Sequence, residues 1–361
     1  MYIHQPADDF DPDQYFDDVP LHQSLFYRRW KQAYGQKVIT LAVSDPSGAV
    51  QAFAQCVGYD LPGTGCVWVA DHGPIGTFSS PSIESEFYHE LRRRCSEASP
   101  TSHLRLHRVP PTDRVRSALA EQGPGSFVQP VAERVISIDG DMENITASFS
   151  KSTRRQIQKY EQNQQGIRFR VENVDFMSHF ADVYDILTQT AQARGFSLHP
   201  REYYETVFSE LVESPEYGAL ILGYVDEISV DKPVSAVLVV YTGAEAYHLF
   251  VGNMPEGLAY SMPTLTLIRA LHEAKNQGIR RYNLGGVEVE GSSSLSSLSE
   301  FKQKFGGSVV IYDRPRDIVV SWWRYLLFRF LRFPIILSAR RLLTTWYRYT
   351  VAELQSTDIG T

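Results

Sequence analysis

The stretch that most constrains the fold runs from Tyr282 to Gly307 and reads YNLGGVEVEGSSSLSSLSEFKQKFGG. Its opening, 280–284, predicts a short strand that must stop at Gly285-Gly286, because two successive residues without a β-carbon permit a tight turn or the close approach of a ligand. A polar loop follows. Leu295, Leu298, Phe301 and Phe305 then recur at helical spacing. The spacing predicts a short amphipathic helix that carries Lys302 and Lys304 and ends at Gly306-Gly307, its C-cap. A strand, a glycine turn and a returning helix form a frame that can hold a lysine cation beside a buried cleft.

The rest of the chain alternates strand and helix patterns, as a mixed α/β protein does. Residues 37–43, 49–57 and 66–69 read as strands separated by Asp45-Pro46-Ser47-Gly48 and by the Pro62-Gly63 turn, after a helix over 21–34. A helix over 83–95, a strand over 104–109, a short helix over 113–120 and a strand over 126–130 complete a first unit. A boundary over 139–146 leads into a basic helix near Lys151. Beyond it come a strand at 166–171, helices at 176–194 and 201–212, and strands at 217–225, 233–241 and 246–251, whose short links predict antiparallel pairing. A helix over 262–277 runs directly into the strand that opens the key stretch.

At 361 residues and 43% hydrophobic, the chain is long enough for two cores and too apolar to be disordered. Its net charge of −7 means that any affinity for RNA or anionic lipid must come from a local patch. Cys56, Cys66 and Cys95 have neither metal-ligand spacing nor the density of a disulfide scaffold, which favours a reducing compartment. The acidic opening MYIHQPADDFDPDQYFDD is no signal peptide, and no uninterrupted stretch of about 20 apolar residues predicts a membrane span. A cytoplasmic protein is expected.

Tyr282-Asn283-Leu284-Gly285-Gly286 followed by Phe301-Lys302-Gln303-Lys304-Phe305 resembles the signature of the Fem family of non-ribosomal peptidyl transferases. In that family a Tyr-Asp/Asn-Phe-x-Gly strand end precedes a Phe-Lys-x-x-Phe helix; Leu284 stands where an aromatic residue is usual. The resemblance implies two GCN5-type N-acyltransferase-like domains of α/β (α+β) class, the first completed by a C-terminal return of the chain. The expected layout is residues 1–145 with 313–335 returning to them, a second domain over 146–312, and a basic aromatic helical tail over 318–352. It further implies transfer of an amino acid from aminoacyl-tRNA, the co-substrate, to an amine of a UDP-linked or lipid-linked peptidoglycan precursor peptide. Neither a cofactor nor a metal is implied.

On this reading Lys302 occupies the place of the family's functional lysine, where a cation in a desolvated cleft stabilises the tetrahedral oxyanion or the departing ribose oxygen. Lys304 is the second candidate cation. Asn283 can position the acceptor but cannot serve as a base, and Gly285 and Gly286 would line the site. Arg154 and Arg155, beside Lys151 and Lys159, are candidate binders of precursor phosphate or tRNA backbone through paired hydrogen bonds. Tyr247 and Tyr282 could stack on uracil or a terminal adenosine, although aromatic residues on strands also pack sheets. His248 and the loop residue His72 in Asp71-His72-Gly73-Pro74 are candidates for proton exchange against a packed or surface role, and Glu288 and Glu290 are substrate-orienting or solvated groups.

The connection Val251 to Pro263 lacks the glycine-rich loop that cradles coenzyme A pyrophosphate, leaving Gly252-Asn253 and Gly257 as its only anion candidates. Aminoacyl-tRNA is therefore the better donor. Coenzyme A-dependent N-acylation of another amine, and a noncatalytic membrane-associated adaptor, stand as alternatives. The tail, 318–352, holds six arginines and no acidic residue among tryptophans, tyrosines, phenylalanines and leucines, with Pro334 interrupting its helical pattern. It suits either packing on the protein or an anionic membrane surface.

Overall fold

The computed structural model describes residues 1–107, 120–121, 130, 132–162, 166–288, 296–312 and 315–329. They form two mixed sheets, and one unit is built twice. In the first sheet Lys37–Ser44, Val50–Leu61 and Gly65–Ala70 run as an antiparallel meander. Helix Pro81–Ala98 then crosses over and delivers Thr101–Leu106 parallel to Gly65–Ala70. In the second sheet Gly218–Val225, Ser235–Thr242 and Glu245–Asn253 form the meander, helix Met262–Asn276 crosses, and Arg281–Gly286 lies parallel to Glu245–Asn253. A parallel neighbour cannot be reached through a tight hairpin, so each helix is the connection that its pairing requires.

Alternation along the strands divides the second sheet into two buried faces. Leu220, Leu222, Leu238 and Val240 join one core with helices Phe180–Arg194 and Arg201–Glu213, whereas Ala219, Ile221, Val237 and Val239 join another with Met262–Asn276 and Phe305. The first of these cores is shared. Phe26, Tyr27 and Trp30 of helix Leu25–Ala33 enter it from the N-terminal unit, and Lys31 Nζ donates to Tyr203 Oη at 3.2 Å across the junction. Helix Leu25–Ala33 is started by Ser24, whose hydroxyl accepts from the Tyr27 amide at 3.2 Å.

The chain also crosses between the sheets in ways that its order does not announce. Ala132–Ser137, placed by sequence before a boundary at 146, lies inside the second sheet between Arg281–Gly286 and Ser308–Ile311. Arg316–Val319 then pairs antiparallel with Thr101–Leu106 in the first sheet. A fully buried ion pair pins this last strand, with Arg105 Nε donating to Asp317 Oδ1 at 2.9 Å and Nη2 to Oδ2 at 3.2 Å. Residues 322–329 follow as a helix whose Tyr325 and Phe328 are buried, Phe328 against Leu61, Val67 and Val69. The helix expected over 113–120 and the strand over 126–130 fall almost wholly outside the described residues, as does the tail beyond 329. No helix among the described residues is long and apolar enough to cross a membrane.

Candidate active site

Strands Glu245–Asn253 and Arg281–Gly286 pair only from Glu245–Arg281 to Tyr247–Asn283. Past that point no pairing joins them, and the second strand turns at Gly285, whose φ of 76° suits glycine. Gly286 is glycine for another reason: a β-carbon there would stand 2.4 Å from Pro130 Cγ. The turn directs the Gly286 carbonyl at Lys302, whose Nζ donates to it at 2.7 Å. Helix Ser296–Gln303 brings the lysine there because Phe301 and Phe305 seat its apolar side, Phe305 fully buried against Phe149. Lys302 lies three residues before Phe305, hence on the same inward side, and is 8% exposed.

Burial lowers the Lys302 ammonium from its ordinary 10.5 to about 8, with the Glu133 carboxylate acting in the opposite direction. The result is a cation at neutral pH that is easily neutralised. Close by, His248 Nδ1 and Tyr282 Oη are 2.8 Å apart, and the His248 ring is held well below its ordinary value by burial and then by Lys302. His248 is thus a neutral partner of Tyr282 and a poor proton acceptor.

Glu133 is the residue that sequence reasoning missed. Its Oε2 accepts from Asn283 Nδ2 at 2.9 Å and from the Tyr312 hydroxyl at 2.9 Å, while Asn283 Nδ2 also donates to Glu245 Oε1 at 2.7 Å. Tyr312 reaches toward the first sheet: its ring lies 5.3 Å from that of His72, which is 3.2 Å through Nδ1 from His22 Nδ1 and stacks on His107. The polar network therefore runs from the first unit's His72 turn, through Tyr312 and Glu133, to the glycine strand end. Among the described residues no group of three or more His, Cys, Asp or Glu is arranged to hold a metal ion.

Of the residues singled out from sequence, the structure brings Lys302, Gly285, Gly286 and Asn283 together. It corrects the expected use of several others. Asn283 is 1% exposed and saturated on its donor side, with Oδ1 accepting from the Gly285 amide at 2.8 Å, so it ties the turn to two carboxylates instead of facing an acceptor. Tyr282 is fully buried and Tyr247 is buried in the shared core; neither ring offers a face for a nucleobase. Lys304 points its side chain to solvent, and it is its carbonyl that matters, accepting from the Ser150 amide at 2.7 Å. Arg154 Nη1 donates to the Ala147 and Phe149 carbonyls, both at 2.7 Å, and so fastens the start of helix Lys151–Gln162. Arg155 is exposed on that helix. Glu288 donates its amide to Ser299 Oγ at 2.9 Å, and Glu290 lies outside the described residues.

The turn into helix Met262–Asn276 does not fit a coenzyme A pyrophosphate. Its candidate amides already have partners: Asn253 N donates to Thr190 Oγ1 at 2.8 Å and Gly257 N to Met254 O at 3.1 Å, while Gly252 pairs with Ala236 in the ladder. At the helix start Pro263 has no N–H, and the Thr264 and Leu265 amides both donate to Ser261 O. Little of the positive helix end remains for a diphosphate.

A model of the acetyltransferase (GNAT) domain matches residues 147–302. Among solved structures, FemX superposes with a TM-score of 0.75 at 15% identity, covering 91% of this chain and 99% of that one. A conserved protein of unknown function from Bacteroides thetaiotaomicron gives 0.55 at 8% identity over 81% of this chain and 90% of its own. L-PGS from Bacillus licheniformis gives 0.51 at 14% identity over 88% and 94%. No curated protein sequence matches the chain. The chain has a Fem-like fold of two acyltransferase-type halves, and the match to the GNAT domain falls in the second of them.

Proposed function

We propose that this protein transfers an amino acid from aminoacyl-tRNA to an amine of a peptidoglycan precursor peptide, UDP-linked or lipid-linked, on the cytoplasmic side of the membrane. The observation that carries the reading is Lys302: a buried cation held against the Gly286 carbonyl, at the unpaired strand end of a GNAT-type domain. The Fem-type motifs that frame it, Tyr282–Gly286 and Phe301–Phe305, favour an aminoacyl ester as donor. The occupied amides before Met262 weigh against coenzyme A.

In the proposed step a neutral amine attacks the ester carbonyl carbon. A C–N bond forms, and the C–O bond to the tRNA ribose breaks. The amine loses one proton and the departing ribose oxygen gains one. An ammonium has three N–H donors, and the Gly286 carbonyl takes one of them on Lys302. The cation then stabilises the oxygen on which negative charge develops, an interaction worth most where water is excluded. Glu133 keeps the site electrically balanced and the turn in place through Asn283 and Tyr312.

The test is a reaction of the full chain with a complete pool of charged tRNA and both precursor forms, read by mass. A gain of one aminoacyl residue on the precursor supports the reading. A gain seen only with an acyl-coenzyme A in place of charged tRNA would replace it with N-acylation of another kind, and no gain with either donor would favour the adaptor alternative.

A further inference from the structure

Helix 322–329 is apolar on two sides. Tyr325 and Phe328 fix one side of it to the first sheet, yet the opposite side is also apolar: Trp322 is 65% exposed, Trp323 60% and Leu326 47%. Two neighbouring tryptophans and a leucine one turn on form a contiguous patch in water, a costly arrangement for a chain with no use for it. Arg324 lies 4.4 Å over the Trp323 ring, and Arg329 lies 5.9 Å over that of Tyr325, which leaves the helix basic as well as aromatic. Of the acidic groups beside the helix, Asp60 is paired with Lys37 at 3.0 Å and the buried Asp317 with Arg105 at 2.9 Å.

We infer that the Trp322–Trp323–Leu326 face is a docking surface for an anionic lipid bilayer. Charge selects this occupant. The chain as a whole is −7, but the described helix carries Arg324 and Arg329 and no acidic residue, and the sequence from 330 to 352 adds four arginines and no acidic residue. Two copies meeting through this face would bring like charges together, whereas anionic headgroups would neutralise them. Tryptophan and arginine side by side also match the chemistry of a bilayer interface, where the ring lies at headgroup depth and the guanidinium meets phosphate. Such docking is independent of the reaction catalysed, and it would hold the first sheet's hairpin side against the membrane.

The experiment is co-sedimentation of the full chain with vesicles of phosphatidylcholine alone and of phosphatidylcholine mixed with phosphatidylglycerol, at low and high salt. The wild type is expected on the anionic vesicles, less so at high salt, and with blue-shifted tryptophan emission. Trp322→Ala/Trp323→Ala is expected to lower the partition coefficient about tenfold or more, since two large apolar surfaces no longer leave water. Arg324→Gln/Arg329→Gln is expected to reduce the preference for anionic over neutral vesicles. Trp322, Trp323 and Arg329 are exposed and Arg324 is half-buried, and unchanged circular dichroism and denaturation midpoint would show that the fold is retained in each variant. Equal binding by the tryptophan variant, no binding by the wild type, or a dimer that the tryptophan variant dissociates would overturn the inference. Shielding of these tryptophans from an aqueous quencher without vesicles would also overturn it, by showing that the chain covers its own patch.

Discussion

Replacing Lys302 by methionine separates a functional cation from a structural one, because the two roles predict different pairs of results. The substitution keeps an unbranched side chain, one atom shorter, and removes its charge. Burial has lowered this group from 10.5 to about 8. Holding the ammonium in the folded protein therefore costs roughly 3 kcal/mol relative to the unfolded chain. Methionine removes that cost but leaves the Gly286 carbonyl without its donor, a loss of about 1–3 kcal/mol. The two effects nearly cancel, so urea denaturation at pH 7 should show the variant within about 2 kcal/mol of wild type. Transfer should fall about 10²–10³-fold, the loss expected when one donor to a developing oxyanion is removed.

The sign of the pH dependence follows. Lys302 binds its proton less tightly in the folded state, so its penalty is fully present below pH 8 and fades as the pH climbs through 8 toward 10.5. The stability of wild type relative to Lys302→Met should rise over that window, while the Lys302-dependent transfer rate falls as the cation is lost. A variant that keeps wild-type turnover would refute the functional role. A variant destabilised by several kcal/mol in step with its lost activity would refute the reasoning about burial.

Asp317→Ala strands the buried Arg105 guanidinium and should cost about 3–5 kcal/mol in chemical denaturation. Lys31 is 3% exposed among Trp30, Tyr27 and Tyr203, and burial lowers it to about 7. Wild-type stability should therefore rise as the pH passes from 7 toward 10.5, and Lys31→Met should flatten that part of the curve in denaturation at several pH values. Gly286→Ala drives a β-carbon to 2.4 Å from Pro130 Cγ, so the turn or the proline must shift at the carbonyl that holds Lys302; steady-state transfer should fall, and wild-type transfer by this variant would count against the Gly286 contact.

Much of the fold was legible because one rule governed each segment. Near-continuous apolar runs in 217–225 and 233–241 mark strands buried on both faces, and the segment over 262–277 is long and periodic enough to be a helix with no alternative. The glycine turn and the Phe-Lys-x-x-Phe helix were legible together because residue spacing alone brings Lys302 to the side of Phe305. What stayed hidden depended on partners distant in sequence. Ala132–Ser137 carries Glu133 and Arg134 into the middle of a sheet, where charge argues against a central strand until Asn283, Tyr312 and the Gly306 and Gly307 carbonyls are seen to receive them. The return of 313–335 to the first unit was implied by the resemblance alone, because Arg316–Val319 is too short to read as a strand and its buried aspartate is explained by Arg105, from far earlier in the chain.

Side-chain roles were less legible than elements. Tyr282, Tyr247 and Asn283 have the chemistry of ligand-binding residues, yet a strand alternates its faces, and the sequence does not say which face meets another layer of protein. Here both do. Arg154 shows the same limit from the other side: a basic residue in a helix's first turn looks like an anion binder, but the nearest acceptors are the carbonyls of the turn just before it.

The most direct measurement is aminoacyl transfer from a complete charged-tRNA pool to soluble and lipid-linked peptidoglycan precursors by wild type and Lys302→Met, followed by mass. A precursor heavier by one aminoacyl residue is expected with wild type, and a loss of about 10²–10³-fold with the variant. An unmodified precursor in every reaction with folded wild type, or equal transfer by the two proteins, would contradict it.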